Sequence, residues 1–315
     1  MPTQSEERPP KRRGRLVLRL LAVACCVLLV SLCFLFRRDL EQRYRLWRDF
    51  EPLGRNAQGY REYHHVATGI VFVRLPGGAF DMGLSPEEAE RILAILSEGR
   101  GDVVRERVRE YIRPAQPKHR VVLSSFLIAK YETTQKEWTQ VLGTASFTYR
   151  GAALPVVGVS WEAARDFCRK NGFALPSEAQ WEYACRAGTE TPFAFGEELA
   201  VGQANVEDTR GVDIEGQGTG MLRRPVPARS FVPNGFGLHQ MHGNVYEWCE
   251  DILDSRFYAR SPRRDPVCRS GPALRVYRGG AWFLPRIFYA SWLRTGGAPA
   301  GVHLGAGLRP VFPLR

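Results

Sequence analysis

The stretch PNGFGLHQMHGNVYEWC, Pro233 to Cys249, sets glycine and asparagine between isolated apolar residues and closes on a short aromatic run. No helical period passes through it, and it belongs to roughly 130 C-terminal residues rich in Gly, Pro and Asn, so this half of the chain reads as ordered loops and short strands. Working outward, IVFVRLPGGAFDMG (Ile70 to Gly83) predicts a hairpin turned at Pro76-Gly77-Gly78, and His119 to Thr134 predicts a second strand pair. Thr134 caps a helix from Gln135 to Leu142. Ser160 caps another, whose apolar face is Trp161, Ala164, Phe167 and Cys168. Ser177 with Gln180 three residues on makes a capping box for a third. The expected architecture is α+β and dominated by loops, which in a compact domain are held by disulfides, a metal or tryptophan packing.

Between the two strand pairs, Ala89, Ile92, Leu93 and Leu96, then Val104, Val108 and Ile112, recur at helical spacing among charges, so Ser85 to Arg113 predicts two short amphipathic helices. They would either dock a partner or cover one edge of the core. At the N-terminus, residues 16–36 (LVLRLLAVACCVLLVSLCFLF) are apolar apart from Arg19 and long enough to span a bilayer. Lys11, Arg12, Arg13 and Arg15 precede them, which predicts a cytoplasmic tail (1–15), an uncleaved signal anchor (16–36) and a body that is periplasmic or extracellular. No small-x-small cleavage site follows the apolar run. The charged residues 37–65 read as a stalk helix ending near Pro52-Leu53-Gly54, which leaves 66–315 as the folded domain with the helical insert 85–113.

The formal charge of +11 invites a nucleic-acid partner, but about half of it lies in the first 60 residues, beside the apolar segment. The remainder is too thinly spread for a phosphate-binding face, so nucleic acid is excluded and lipid headgroups account for the basic cluster. None of the seven cysteines forms a CxxC pair, which removes thioredoxin-like chemistry. Cys249 and Cys268 bracket a loop whose closure by a disulfide would stabilise the fold by about 3 kcal/mol in the chain-entropy model. Cys168 and Cys185 read as buried thiols on helix faces.

Seven blocks carry a resemblance: FVRLPGGAFDMG, KYETTQKEW, PVVGVSWEAARDFC, LPSEAQWEYACRAG, the Pro233 to Cys249 stretch, RVYRGGAW and GLRP. In this order they resemble the formylglycine-generating enzyme family, also called the sulfatase-modifying factor family. The resemblance implies a low-regularity variant of the C-type lectin fold, preceded here by one transmembrane helix. It also brings in relatives with other chemistry, namely iron-dependent sulfoxide synthases of ergothioneine biosynthesis and a pyoverdine-maturing oxidase.

A formylglycine-generating enzyme holds copper(I) on two thiolates just beyond an ArgGlyGlySer motif, because a soft ion needs soft sulfur. The matching positions here are Leu284 and Tyr289, the matching Ser is Ala281, and no cysteine follows Cys268. The resemblance therefore implies the scaffold without the copper chemistry. It also implies structural Ca²⁺ on hard oxygen donors. Gln240, Asn244 and Glu247 match one site, with Gln240 standing where the family has Asp or Asn. Asn205 matches a second, whose partners would lie among Asp213 to Gln217. Two functions follow as expectations. One is a membrane-tethered, catalytically silent module binding a protein, peptide or glycan. The other is a variant oxidase with Glu247 as acid/base and Tyr246, His242 and Arg278 lining its pocket. His239 and His242, at i, i+3 in a loop, are the histidine pair considered for an iron site.

Overall fold

The computed structural model describes residues 40–99, 101–143, 147–200, 202–206, 224–284 and 286–314. The basic tail, the apolar segment 16–36 and Asp213 to Gln217 lie outside the described residues. Among the described residues no helix is long and apolar enough to cross a membrane. The chain divides into two compact units, ending at Arg48 and beginning at Asp49. In the first, residues 40–48 are helical, with the Tyr44 and Trp47 rings 6.0 Å apart.

The second unit is built on three sheets. A five-stranded sheet has the order β1 (Phe50–Arg55), β2 (Arg61–His65), β3 (Val71–Leu75), β6 (Phe126–Ala129), β11 (Val311–Pro313). A four-stranded sheet has the order β10 (Ala306–Gly307), β7 (Tyr246–Ile252), β8 (Arg275–Arg278), β9 (Thr295–Gly297), and β4 (Gly78–Met82) pairs with β5 (His119–Leu123).

The stalk expectation is corrected at its far end. Phe50 is buried and packs edge-on against Phe72, with Phe312 beside it at 5.0 Å. That single buried ring, together with the β1 and β2 pairing, draws residues 50–65 into the domain. Of the charges that suggested a stalk, Glu51 and Arg55 sit on the exposed remainder of β1.

The two expected hairpins are also corrected. β3 pairs with β6 and β4 with β5, and the register runs on without a slip, Leu75 opposite Phe126 and Gly78 opposite Leu123. The four strands are thus one antiparallel ribbon that bends at Gly77. Only glycine fits there: its φ is +72° and a Cβ would stand 2.4 Å from the Leu123 carbonyl oxygen. The insert is therefore the connection at the open end of this ribbon. It folds as α1 (Pro86–Ser97) and α2 (Gly101–Ile112), with a Ser85–Glu88 capping box starting α1.

α3 (Gln135–Leu142), α4 (Trp161–Lys170) and α5 (Glu178–Arg186) form where expected, started by Thr134, Ser160 and Ser177. Hydroxyl caps satisfy orphan N–H groups, and each is worth about 1 kcal/mol. One core gathers the ribbon, α5 and the 236–249 segment. A second gathers Ala89, Ile92 and Leu93 of the insert with Phe193, Tyr289, Trp292 and Leu293.

Candidate functional site

The stretch Pro233 to Cys249 leads through a loop into β7, and its polar side chains are consumed within the molecule. The Glu247 carboxylate accepts from Arg309 Nε at 2.9 Å and Nη2 at 2.7 Å, and from the Trp181 indole at 2.7 Å. Arg309 also donates to the carbonyls of Ala129 at 2.9 Å and His239 at 2.8 Å. A guanidinium is thus the cation at Glu247, and this position is corrected from calcium ligand and acid/base to a buried ion pair. Asn244 donates to Glu132 at 2.6 Å and accepts from Asn205 Nδ2 at 3.0 Å and the Val226 N–H at 2.9 Å. Burial, reinforced by the Glu247 charge, holds the Glu132 carboxyl well above its usual range.

Two oxygens of the expected calcium set differ from these. Asn205 Oδ1 and Gln240 Oε1 are buried with no hydrogen-bond partner among the described residues. Their amide nitrogens are engaged, Asn205 with the Arg224 carbonyl at 2.9 Å and Gln240 with that of Pro227 at 3.3 Å. These two fit a hard cation, whereas Asn244 and Glu247 do not. Among the described residues no group of three or more His, Cys, Asp and Glu is placed to hold a metal.

His242 is buried, and its Nδ1 donates to the Tyr289 carbonyl at 2.7 Å while Nε2 accepts from the Ala194 N–H at 3.0 Å. Both ring nitrogens are occupied and burial lowers its pKa to about 4, so the ring is a neutral clamp. Cys185 Sγ stands 3.6 Å from His242 Nε2 and from Ser291 Oγ. Burial pushes this thiol up to about 12, which leaves no thiolate at neutral pH. His239 is bound instead to the Phe231 carbonyl at 3.0 Å, so the two histidines do not act as a pair.

Arg278 does not line an open pocket. It is buried between Glu182, which its guanidinium contacts directly, and Glu178 at 3.6 Å, over the Trp181 ring. Arg294 holds both oxygens of Glu178 at 2.7 and 2.8 Å, and Arg186 holds Glu182 at 2.9 Å. Burial alone would raise the Glu182 pKa, but Arg186 and Arg278 outweigh it and keep the carboxylate ionised. Tyr246 packs 4.3 Å from Tyr277, and burial raises its phenol. Cys249 and Cys268 are both buried and both free, so the expected disulfide is not formed.

The segment that would carry copper is filled. Tyr289 is completely buried, with its hydroxyl 3.0 Å from the Ala281 carbonyl, against that of Leu284, and accepting from the Leu284 N–H at 3.1 Å. Gly280 permits this, since a Cβ there would stand 2.3 Å from the Tyr289 ring. Neither Leu284 nor Tyr289 offers sulfur, so the residues present do not fit copper(I). The insert covers the same segment, with Tyr111 and Phe288 rings 5.0 Å apart. Between α1 and Ala290 and Trp292 a groove of about 250 Å³ remains, with Ile92, Ile95 and Phe193 in its walls and Arg91 and Glu197 in its lining.

Sequence reasoning missed Glu132, Arg309, Cys185 and Ser291 as members of these clusters. Glu132 and Arg309 lie inside the quoted blocks KYETTQKEW and GLRP, which is the signal that could have marked them.

The family model described as the sulfatase-modifying factor enzyme 1-like domain matches residues 62–313. The formylglycine-generating enzyme of Streptomyces coelicolor is 41% identical over 132 residues, which are 41% of this chain and 42% of that protein. Serine/threonine-protein kinase pkn1 of Chlamydia caviae is 31% identical over 206 residues, 55% of this chain and 31% of that protein. The matched stretches span less than half the length of these curated relatives. Among solved structures, PvdO from Pseudomonas aeruginosa superposes with a TM-score of 0.60 at 25% identity, covering 84% of this chain and 98% of that one. Treponema denticola variable protein 1 superposes with a TM-score of 0.64 at 20% identity, covering 80% and 98%, a likeness of fold alone. A family model that spans most of the chain, with the same α+β architecture in solved relatives, makes this chain a member of the sulfatase-modifying factor family.

Proposed function

We propose that this domain is a binding module that does not generate formylglycine, held at a membrane by residues 16–36 with its body outside the cytoplasm. The buried Tyr289 carries the reading: its ring fills, and its hydroxyl ties together, the segment where the family resemblance calls for two thiolates. Among the described residues no other side chain brought to that segment supplies the chemistry, because Cys185 is a protonated thiol and His242 has both nitrogens engaged.

The binding surface is the groove between the insert and Ala290 to Trp292, and its ligand is a peptide with an apolar anchor. Ile95 is 65% exposed at its edge although apolar, and the lining Arg91–Glu197 pair at 3.8 Å offers both signs of charge to a peptide backbone. Calcium would be a structural companion, with the Gln240 side-chain oxygen as a donor at one of the two expected sites and that of Asn205 as a donor at the other.

The test has two arms. Purified full-length protein, loaded with copper and given a CysxProxArg peptide, is expected to form no aldehyde; formylglycine product would overturn the proposal. Selection of displayed peptides is expected to return apolar-anchored sequences whose affinity falls about tenfold in Ile95→Asp, and peptides indifferent to that change would remove the groove from the reading.

A further inference from the structure

A second cavity, of about 370 Å³, opens between β4, β5 and the C-terminal end of α5, and no residue of the 278–294 segment lines it. That volume suits a small ligand. One wall is a run of four aromatic rings: Tyr60 to Phe236 at 5.0 Å, Phe236 to Tyr183 at 5.3 Å, and Tyr183 to Phe80 at 5.5 Å. The Tyr183 hydroxyl donates to the Gly77 carbonyl at 2.7 Å, which fixes its ring at the bend of the ribbon. Phe236 comes from the loop that leads into β7.

The polar part of the lining is balanced in charge. Asp81 and Arg120 face each other across β4 and β5 as an ion pair at 3.2 Å, both partly exposed. Arg186 reaches the cavity with its guanidinium committed to Glu182 and to backbone carbonyls, and Glu190 is exposed beside it.

This combination selects a ligand class. A cation would meet Arg120 and Arg186, and an anion would meet Asp81 and Glu190. A purely apolar ligand would strip water from the Asp81–Arg120 pair and return nothing. A neutral ring with an apolar C–H face and hydroxyls around its edge meets every demand. Its face lies on the aromatic wall, while its hydroxyls donate to Asp81 and accept from Arg120. We propose that this cavity is a saccharide-binding site. It shares no lining residue with the groove under the insert, so the two stand or fall separately.

Saturation-transfer NMR on the purified full chain tests it, using glucose, N-acetylglucosamine, maltose and diacetylchitobiose at about 10 mM, above a weak millimolar Kd. Tetramethylammonium serves as the cationic probe. The expected result is transfer to the ring protons of at least one saccharide and none to tetramethylammonium, with affinity falling about tenfold in Phe80→Ala and several-fold in Asp81→Asn. Asp81 is partly exposed and outside the core, so Asp81→Asn keeps the test decisive if Phe80→Ala fails to fold. Transfer to tetramethylammonium alone, transfer to no saccharide, or saccharide binding unchanged in the folded variants would overturn the proposal.

Discussion

Residues 233–249 and 278–294 touch along their backbones, Gly243 N–H to the Gly279 carbonyl at 2.7 Å and Trp282 N–H to that of Asn244 at 3.0 Å, yet they solve burial in opposite ways. The first keeps its polar side chains and satisfies nearly all of them internally. The second, between the paired arginines Arg278 and Arg294 at its ends and apart from Ser291, fills the same depth with Ala281, Tyr289, Ala290 and Trp292. Buried polar groups therefore mark architecture in this molecule, because a charge inside a protein is tolerated only when another charge or hydrogen bond answers it. Open surface with unmet chemistry lies elsewhere, in the groove under the insert and the aromatic cavity.

The sharpest way to break this contrast is to remove Arg309. Arg309→Met leaves Glu247 buried with the Trp181 indole but no cation and is expected to cost about 3–5 kcal/mol, read by denaturant unfolding; a loss below about 1 kcal/mol would mean that the Glu247 charge does not depend on Arg309. In the opposing stretch, Tyr289→Phe deletes only a hydroxyl. Its loss removes one of the two acceptors of the Leu284 N–H, which keeps the Ala281 carbonyl at 3.0 Å, and is expected to cost about 0.5–1.5 kcal/mol by the same measurement, with the aldehyde assay still blank.

A third test follows from Asp251, just beyond the first stretch. Burial, and then the charge of Glu178, raise its pKa from 3.8 to about 7. The folded state therefore holds this proton more tightly than the unfolded one. Its contribution is fully present below pH 3.8 and is lost as pH rises through about 7. His242 acts in the opposite sense, since its lowered pKa of about 4 makes its contribution fade as pH falls below 6.5. The readout is the difference between parent and Asp251→Asn: the variant is expected to lose the gain in stability on acidification from about 7, and parallel pH profiles would refute the assignment. The smallest expected effect is from calcium. Adding it is expected to raise Tm by a few degrees in the parent and not in Asn205→Ala, and equal melting with and without chelator would leave both orphan oxygens unexplained.

Much of the scaffold was legible from local rules. Thr134, Ser160 and Ser177 started helices where their hydroxyls said they would, and the amphipathic spacing of 85–113 gave two helices. The hairpins were misread because Pro76-Gly77-Gly78 signals a turn equally well whether a chain reverses or bends into another sheet. Which occurs depends on Leu123 and Phe126, nearly 50 residues away. The candidate site was legible in membership but not in role. His242, Arg278 and Glu247 are central to their clusters, yet the groups that engage their polar atoms, the Ala194 N–H, Glu182 and Arg309, are none of them sequence neighbours.

The sequence by itself determined the family, the helix starts and the absence of cysteine at positions 284 and 289, because these are properties of residue identity and short spacing. Only the tertiary structure decided that Tyr289 seals the segment, that the insert packs over it, and that Tyr60, Phe80, Tyr183 and Phe236 share one cavity. Those facts depend on which distant surfaces exclude water from each other, and no local pattern encodes that.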